Sequence, residues 1–160
     1  MTPGLVIRRF EAADQAAARA VVLEGMFEHW GGLDPTLNLD LDDIADSYAD
    51  AVFLVGHLDG PTDRRVVATG ALRMRQGDGG GREGEIVRMA VASDARRQGI
   101  GQQMLRSLTD EARRLGVRRI VLETTSDWHD IMTFYRRCGF TVTHEEQGRW
   151  SSNTWFALDL

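Results

Sequence analysis

The segment VASDARRQGIGQQML, residues 91–105, places arginine and glycine directly ahead of an amphipathic helical pattern. The first turn of a helix has backbone N–H groups without partners and carries the positive end of the helix dipole, so it binds anions. Gly99 and Gly101 lack the Cβ that would keep a phosphate away from the backbone, and Arg96 adds charge-assisted donors. The segment therefore predicts an anion site, and a plain helix-start turn is the alternative that the same residues allow.

Two nucleotide-binding motifs do not fit this segment. A dinucleotide fingerprint needs a third glycine where Met104 stands, and a phosphate loop of the Walker type needs a lysine, which this chain lacks entirely. A nucleotide-dependent phosphotransferase is disfavoured for the same reason.

The elements that must position the anion site follow from hydrophobic periodicity and turn residues. The helix after the glycines presents Met104, Leu105, Leu108, Ala112 and Leu115 on one face, with Gly116 at its end. Early hairpins and late strand–helix–strand units indicate an α/β fold with a mixed sheet flanked by helices. We predict strands at 5–10, 51–58, 64–75, 85–91, 118–125, 140–146 and 153–160, and helices at 11–30, 39–51, 98–115 and 126–138.

Composition excludes several classes of protein. With 160 residues, 42% hydrophobic and 27% charged, the chain is expected to form a single folded domain over residues 1–160. It has no apolar run long enough to span a membrane and no signal-peptide pattern, so we expect a cytoplasmic protein. A net charge of −5 with scattered arginine pairs argues against nucleic-acid binding. The single cysteine excludes an internal disulfide, and the four histidines lack metal-ligand spacing, so we predict no metal.

Three motifs in order resemble the GNAT superfamily of N-acetyltransferases. Arg96-x-x-Gly99-x-Gly101 is similar to the family signature [Q/R]xxGx[G/A], and it follows a strand of the expected length. Downstream, LGVRRIVLETT resembles the next strand of the family, and FYRRCGF, with Tyr135, resembles its FYxxxGF element. The resemblance covers roughly residues 85–143. It implies a mixed, mostly antiparallel sheet of about seven strands with about four helices, and transfer of an acetyl group from acetyl-CoA to a primary amine.

The resemblance also implies roles for individual residues. Glu85, which begins a strand similar to that of the histone acetyltransferase branch, would accept the amine proton, directly or through water. Tyr135 would donate a proton to the departing thiolate after direct attack through a tetrahedral intermediate. The backbone N–H of Met89 would stabilise the oxyanion. Cofactor contacts are expected at Met89, Ala90, Val91, Arg96, Arg97, Gln98, Gly99, Ile100, Gly101 and Gln102.

The acceptor amine is less defined, and a small molecule, a peptide or a protein all fit. The segment from Ala20 to Asp63 holds ten acidic residues and no arginine, so Asp34, Asp42 and Asp43 are candidates for attracting a cationic amine. Trp128 stands where many relatives have asparagine, and it either packs at a helix start or walls the acceptor site. A homodimer is a family-level expectation. The alternative function is a non-catalytic acyl-CoA-binding sensor or partner module on the same fold.

Overall fold

The computed structural model describes residues 4–34, 36–59 and 64–160. Seven strands form one sheet in the order β1-β2-β3-β4-β5-β7-β6. The strands are β1 Leu5–Arg9, β2 Val52–Asp59, β3 Arg64–Gln76, β4 Arg82–Val91, β5 Arg119–Thr125, β6 Thr141–Gln147 and β7 Ser152–Asp159. The helices are α1 Gln15–Trp30, α2 Ile44–Ser47, α3 Ile100–Arg114 and α4 His129–Arg137.

Every pair of neighbouring strands is antiparallel except β4 and β5, which are parallel. The predicted mixed, mostly antiparallel sheet with four helices is therefore confirmed. The predicted hairpin of β2 and β3 is also present, while its turn at residues 60–63 lies outside the described residues.

The sheet separates two apolar layers. On one face α3 and α4 pack on the sheet through fully buried side chains such as Met104 and Leu108. On the other face α1 and α2 contribute Ala18, Val22 and Ile44 to a second cluster. β4 lies between the two layers, so its residues contact both of them.

The predicted helix over residues 39–51 is wrong in extent. A 3-10 turn at Leu39–Leu41 precedes the short α2, and Asp43 between them has a non-helical backbone. The Asp43 carboxylate accepts the N–H of Asp46 at 3.1 Å, which caps α2 and starts it late. An aspartate side chain that accepts a nearby backbone N–H in this way takes the place of a helical hydrogen bond and so interrupts a continuous helix.

Two helix ends also differ from expectation. The helix predicted over residues 126–138 begins later, because Trp128 occupies the N-cap position of α4 and the Ser126 hydroxyl lies 2.8 Å from that of Thr154. α3 ends at Arg114, and Leu115, assigned to its apolar face, is half exposed. Gly116 has a φ of 75°, the left-handed conformation expected of a helix stop.

β6 is an edge strand whose residues are all exposed. Edge strands have free backbone groups that can pair with a second chain, and the homodimer stays a prediction. Within the described residues, no helix is long and apolar enough to cross a membrane. The same residues contain no group of three or more metal-binding side chains.

Candidate active site

β4 and β5 are paired at their beginnings only. Glu85 and Val121 form the last parallel pair, although β4 continues to Val91 and β5 to Thr125. Beyond this pair, the facing edges of the two strands have no strand partner. Backbone N–H and C=O groups at such an edge need other partners, so the gap suits a ligand that carries amide groups.

The separation opens a cleft of about 900 Å³. β4 and β5 form its floor, α1 and α4 form its sides, and the loop that leads into α3 closes one end. The side chains and backbone that line it belong to Val22, Gly25, Met26, His29, Trp30, residues 86–91, Ala95, Arg96, Arg97, residues 99–102, residues 123–125, Trp128, Asp130, Ile131, Phe134, Tyr135, Arg137, Cys138 and Asn153.

A bulge in β4 shapes the floor of the cleft. Arg88 has a φ of 57°, and the strand register shifts where Arg88 and Met89 stand opposite Gly70. The Thr69 hydroxyl donates a 2.7 Å hydrogen bond to the Arg88 carbonyl and holds the bulge. A Cβ on Gly70 would lie 2.8 Å from Leu108 and 2.9 Å from the sulfur of Met89, so a larger residue here would force these side chains to move. Bulges redirect backbone groups next to active sites.

The side chain of Arg88 connects this bulge to the segment between α1 and α2. Its guanidinium donates to both carboxylate oxygens of Asp40, at 3.0 and 2.6 Å, and to Asn38 at 3.0 Å. Tyr48 donates to the same Asp40 at 2.6 Å. Burial alone would raise the pKa of Asp40, but the hydrogen bonds from Arg88 and Tyr48 hold it below its usual value. Burial, together with the hydrogen bond to Asp40, raises the pKa of Tyr48 to about 12. Asp40 therefore stays ionised, and its hydrogen bonds hold the side chain of Arg88 in place.

The loop before α3 has the backbone of an anion site. Arg97 and Gly99 have φ values of 62° and 78°, so the chain turns sharply before Ile100 begins the helix. The first N–H groups of α3 have no partner within the helix. A Cβ on Gly101 would lie 3.4 Å from the Phe134 ring, so the first turn of α3 lies beside α4 and a side chain larger than alanine would press on this ring.

Arginine side chains surround this loop. Arg96 donates to the Val91 carbonyl at 2.9 Å and forms an ion pair with Glu28 of α1 at 2.6 Å. Arg97 and Arg137 also line the cleft and are exposed. This end of the cleft is therefore cationic, as a phosphate ligand requires.

Tyr135 forms part of the cleft wall near the centre of the molecule. Its side chain is 7% exposed, and no described residue makes a hydrogen bond with its hydroxyl. Phe134, Phe140 and Phe156 pack around the ring at centroid distances of 5.2 to 5.9 Å. Burial raises the pKa of Tyr135, so the phenol is protonated at neutral pH and has a proton to donate.

Glu85, the predicted base, is not part of the cleft wall. Its carboxylate is buried and accepts hydrogen bonds from Arg73 at 2.8 Å and from Arg75 at 3.3 Å. Both of its oxygens are thus bound by guanidinium groups of the neighbouring strand β3. The role of Glu85 as the base stays a prediction.

Glu123 is the carboxylate at the point where the strands separate. It stands two residues after Val121, lines the cleft and is exposed to it. Partial burial raises the pKa of Glu123, and the negative charges of Glu85 and Glu146 raise it further. Two arginines of β3, Arg73 and Arg75, lower this pKa, but the net shift is upward. A carboxyl with a raised pKa beside a cleft is suited to acid–base chemistry.

Comparison with known proteins identifies the family. Residues 19–140 match the model of the Acetyltransferase (GNAT) family. The chain belongs to the GNAT family. It is 32% identical over 141 residues to the IAA acetyltransferase of Azospirillum brasilense, which covers 86% of this chain and 85% of that protein. It is 27% identical over 143 residues to the probable glucosamine 6-phosphate N-acetyltransferase 2 of Oryza sativa subsp. japonica, covering 84% and 80%.

A solved structure resembles this GNAT chain over nearly its whole length. It is that of yncA, a putative acetyltransferase from Salmonella typhimurium with its cofactor acetyl-CoA. The TM-score is 0.77 at 25% identity, and the match covers 98% of this chain and 94% of that one. The resemblance stated from sequence is confirmed, and the chain is by family an acetyl-CoA-dependent N-acetyltransferase.

The structure brings most of the predicted cofactor residues of this GNAT chain together. All of them except Gln98 line the cleft, at the bulge of β4 and at the start of α3. The predicted acid Tyr135 lies in the same cleft.

The predicted acceptor residues separate into two groups. Trp128 lines the cleft, whereas Asp34, Asp42 and Asp43 do not. Asp43 caps α2, Asp42 lies 3.6 Å from Arg19, and Asp34 bonds within its own turn. Their charges therefore stabilise the segment between α1 and α2 and do not face the cleft.

Sequence reasoning missed several residues of the cleft, namely His29, Trp30, Glu123, Arg137 and Asn153. Of these residues, only Glu123 could have been proposed from the sequence. It follows the buried residues of β5, the strand that comes directly after the helix of the signature loop. His29 and Trp30 meet Trp128 across the cleft from a distant part of the chain, and no spacing in the sequence reveals such a contact.

Proposed function

We propose that this GNAT chain transfers the acetyl group of acetyl-CoA to a primary amine in the cleft between β4 and β5. The observation that carries the proposal is the early separation of these strands, with Tyr135 and the start of α3 on the walls of the same gap. The relatives named above, a glucosamine 6-phosphate N-acetyltransferase and an IAA acetyltransferase, support acyl transfer to a small molecule.

The residues at the cationic end fit a pyrophosphate. The first backbone N–H groups of α3 and the side chains of Arg96 and Arg97 are the donors, and Gly99 and Gly101 keep the approach open. Arg137 adds a third cation, which the sequence did not indicate. Arg96 is already bound to Glu28, so phosphate binding exchanges one anionic partner for another.

The β4 edge fits the amide groups of a pantetheine arm. Met89, Ala90 and Val91 line the cleft beyond the last pair with β5, so their backbone groups have no strand partner on that side. The bulge at Arg88 turns this backbone toward the cleft, and the Met89 N–H is our candidate donor to the oxyanion. Acetyl-CoA supplies the activated thioester, and the chain supplies donors and proton carriers.

The proton of the amine needs an acceptor inside the cleft. A lysine-like amine has a pKa of about 10.4, so its deprotonation at pH 7 costs roughly 4 to 5 kcal/mol. Glu123 lines the cleft, whereas Glu85 is bound by Arg73 and Arg75. We therefore assign the role of the base to Glu123. Glu85 instead binds the guanidinium groups of Arg73 and Arg75.

Tyr135 is the acid in this scheme. Its hydroxyl has no described hydrogen-bond partner, and burial raises its pKa, so Tyr135 holds a proton that a departing thiolate can accept. An ordinary phenol has a pKa of about 10 and an ordinary thiol about 8.5. Because burial raises the pKa of Tyr135, the phenol acts first as a hydrogen-bond donor to the departing sulfur, and the proton moves as negative charge develops there. Aromatic packing holds the ring in place.

A calorimetric titration tests the donor site, with ATP as the control ligand. We expect micromolar, one-to-one binding of acetyl-CoA and none of ATP. Gly101→Val places a branched side chain against Phe134 at the start of α3, and it should weaken acetyl-CoA binding at least tenfold. The matched variant Gly79→Val, in a loop where nothing lies within 4 Å, should bind like the wild type.

Three outcomes bear on the proposal. Absence of acetyl-CoA binding, or equal binding of ATP, contradicts it. Binding without release of CoA for any amine in a panel contradicts the enzymatic part and supports the acyl-CoA-binding module. Binding with amine-dependent CoA release supports the full proposal.

A further inference from the structure

The cleft contains few negative charges. Among the residues described, its only carboxylates are Glu123 and Asp130, while Arg88, Arg96, Arg97 and Arg137 also line it. In the acidic segment between α1 and α2, Asp42 and Asp43 form an ion pair and a helix cap, and Asp40 is bound to Arg88. Arg88 and Arg96 are paired with Asp40 and Glu28, so the feature that limits a polycation is the small number of carboxylates in the lining, Glu123 at the point of strand separation and Asp130 in the first turn of α4.

An aromatic cluster stands at the mouth of the same cleft. His29 and Trp30 come from the last turn of α1, and Trp128 comes from the start of α4. The centroid of the Trp128 ring lies 4.3 Å from that of His29 and 5.4 Å from that of Trp30. These rings join the two helices that form the sides of the cleft.

A hydrogen bond orients one ring of the cluster, and another ring is incompletely covered. The His29 ring donates from Nδ1 to the Gly25 carbonyl at 2.8 Å, since a carbonyl can only accept, and its Nε2 lies 3.9 Å from Asp130. Trp30 nevertheless remains 45% exposed beside the cleft. A part-exposed aromatic surface next to a cavity is suited to bind an apolar or aromatic group.

We infer that the acceptor is a primary amine with an uncharged aromatic body, which packs against His29, Trp30 and Trp128 with its amine toward Glu123. This inference rests on the proposed function. The aromatic rings offer a face and an edge to an aryl group, and Glu123 offers a partner for one ammonium ion. A polyamine has no ring to pack on this aromatic surface and would find only Glu123 and Asp130 as carboxylates among the described lining residues, so the site favours an amine with one charge and an aromatic body.

The test measures the release of CoA thiol for a panel of acceptor amines, all at one acetyl-CoA concentration and one pH. 2-Phenylethylamine and tryptamine represent the aromatic class, butylamine a short aliphatic amine, and spermidine the polycations. We expect kcat/KM for the aromatic amines to exceed that for spermidine at least tenfold.

A pair of variants distinguishes the loss of packing against the aromatic acceptor from a general loss of activity. Trp30→Ala should lower kcat/KM for tryptamine about tenfold and leave butylamine nearly unchanged, because only the aromatic acceptor contacts this ring. Phe27→Ala is the matched control, since Phe27 is an exposed aromatic residue of the same helix that does not line the cleft. Trp30 is half exposed, so its removal should not unfold the protein.

The outcomes distinguish the two proposals. If spermidine equals or exceeds the aromatic amines, or Trp30→Ala lowers all amines alike, the aromatic subsite is refuted while amine acetylation stands. If acetyl-CoA binds and no amine is acetylated, the proposed function itself fails.

Discussion

Replacing Glu123 by glutamine removes the proposed proton acceptor and preserves the size of the side chain. Glu123 is the carboxylate that lines the cleft where β4 and β5 separate, and Gln has no charge with which to accept the amine proton. General base catalysis contributes about 100-fold to 10,000-fold to a rate, so we expect kcat to fall at pH 7 within this range. That loss corresponds to roughly 3 to 5 kcal/mol in the activation barrier.

The pH dependence identifies the group that is lost. The base must be ionised to act, so wild-type activity falls as the pH drops below the pKa of Glu123, which the protein raises above that of an ordinary glutamate. In Glu123→Gln this acid limb should disappear. The deficit should shrink at high pH, since the acceptor amine is then already neutral in solution.

Stability and a second carboxylate provide the controls. Because the folded-state pKa of Glu123 is raised, its ionised form is disfavoured in the fold, and a neutral glutamine should leave Tm equal or higher. Glu85→Gln breaks contacts with Arg73 and Arg75 and tests the base that the sequence analysis assigned. An unchanged pH profile in Glu123→Gln, or a larger kcat loss and a lost acid limb in Glu85→Gln, would refute the assignment of the base to Glu123.

Two further substitutions test the acid and the bulge. Tyr135→Phe keeps the aromatic packing and removes the hydroxyl, so we expect a tenfold or greater loss of kcat with unchanged acetyl-CoA affinity by calorimetry; full kcat would contradict the acid role. Gly70→Ala forces a Cβ to within 2.8 Å of Leu108 and 2.9 Å of Met89, so it should lower stability by about 1 to 3 kcal/mol and weaken acetyl-CoA binding. Gly79→Ala, which has open space around it, is the control in thermal unfolding, and equal Tm values for the two variants would contradict the packing argument.

The donor half of the site was predictable because it depends on local backbone rules. An anion site at the start of a helix needs glycine and arginine in short order, and Gly99, Gly101 and Arg96 carry that information within one loop. The same holds for α3, where the repeat of buried residues sets the helix and Gly116 ends it. Family resemblance then added Tyr135, which the structure places in the cleft.

The acceptor half was not predictable because it depends on pairing across the fold. Glu85 and Glu123 look alike in sequence, and only the arginines on β3 and the end of strand pairing distinguish them. The sequence predicts one helix over residues 39–51, yet Asp43 has a non-helical backbone and caps the short α2. Asp40 is bound to the arginine of the β4 bulge. Such contacts join segments far apart in the chain, where periodicity carries no information.

A crystal structure of the acetyl-CoA complex would locate the donor relative to the gap between β4 and β5. We expect the pyrophosphate at the first turn of α3 beside Arg96, the pantetheine arm along Met89–Val91, and the thioester sulfur within hydrogen-bonding distance of the Tyr135 hydroxyl. Ligand bound outside the gap between β4 and β5, or a sulfur far from Tyr135, would contradict this expectation.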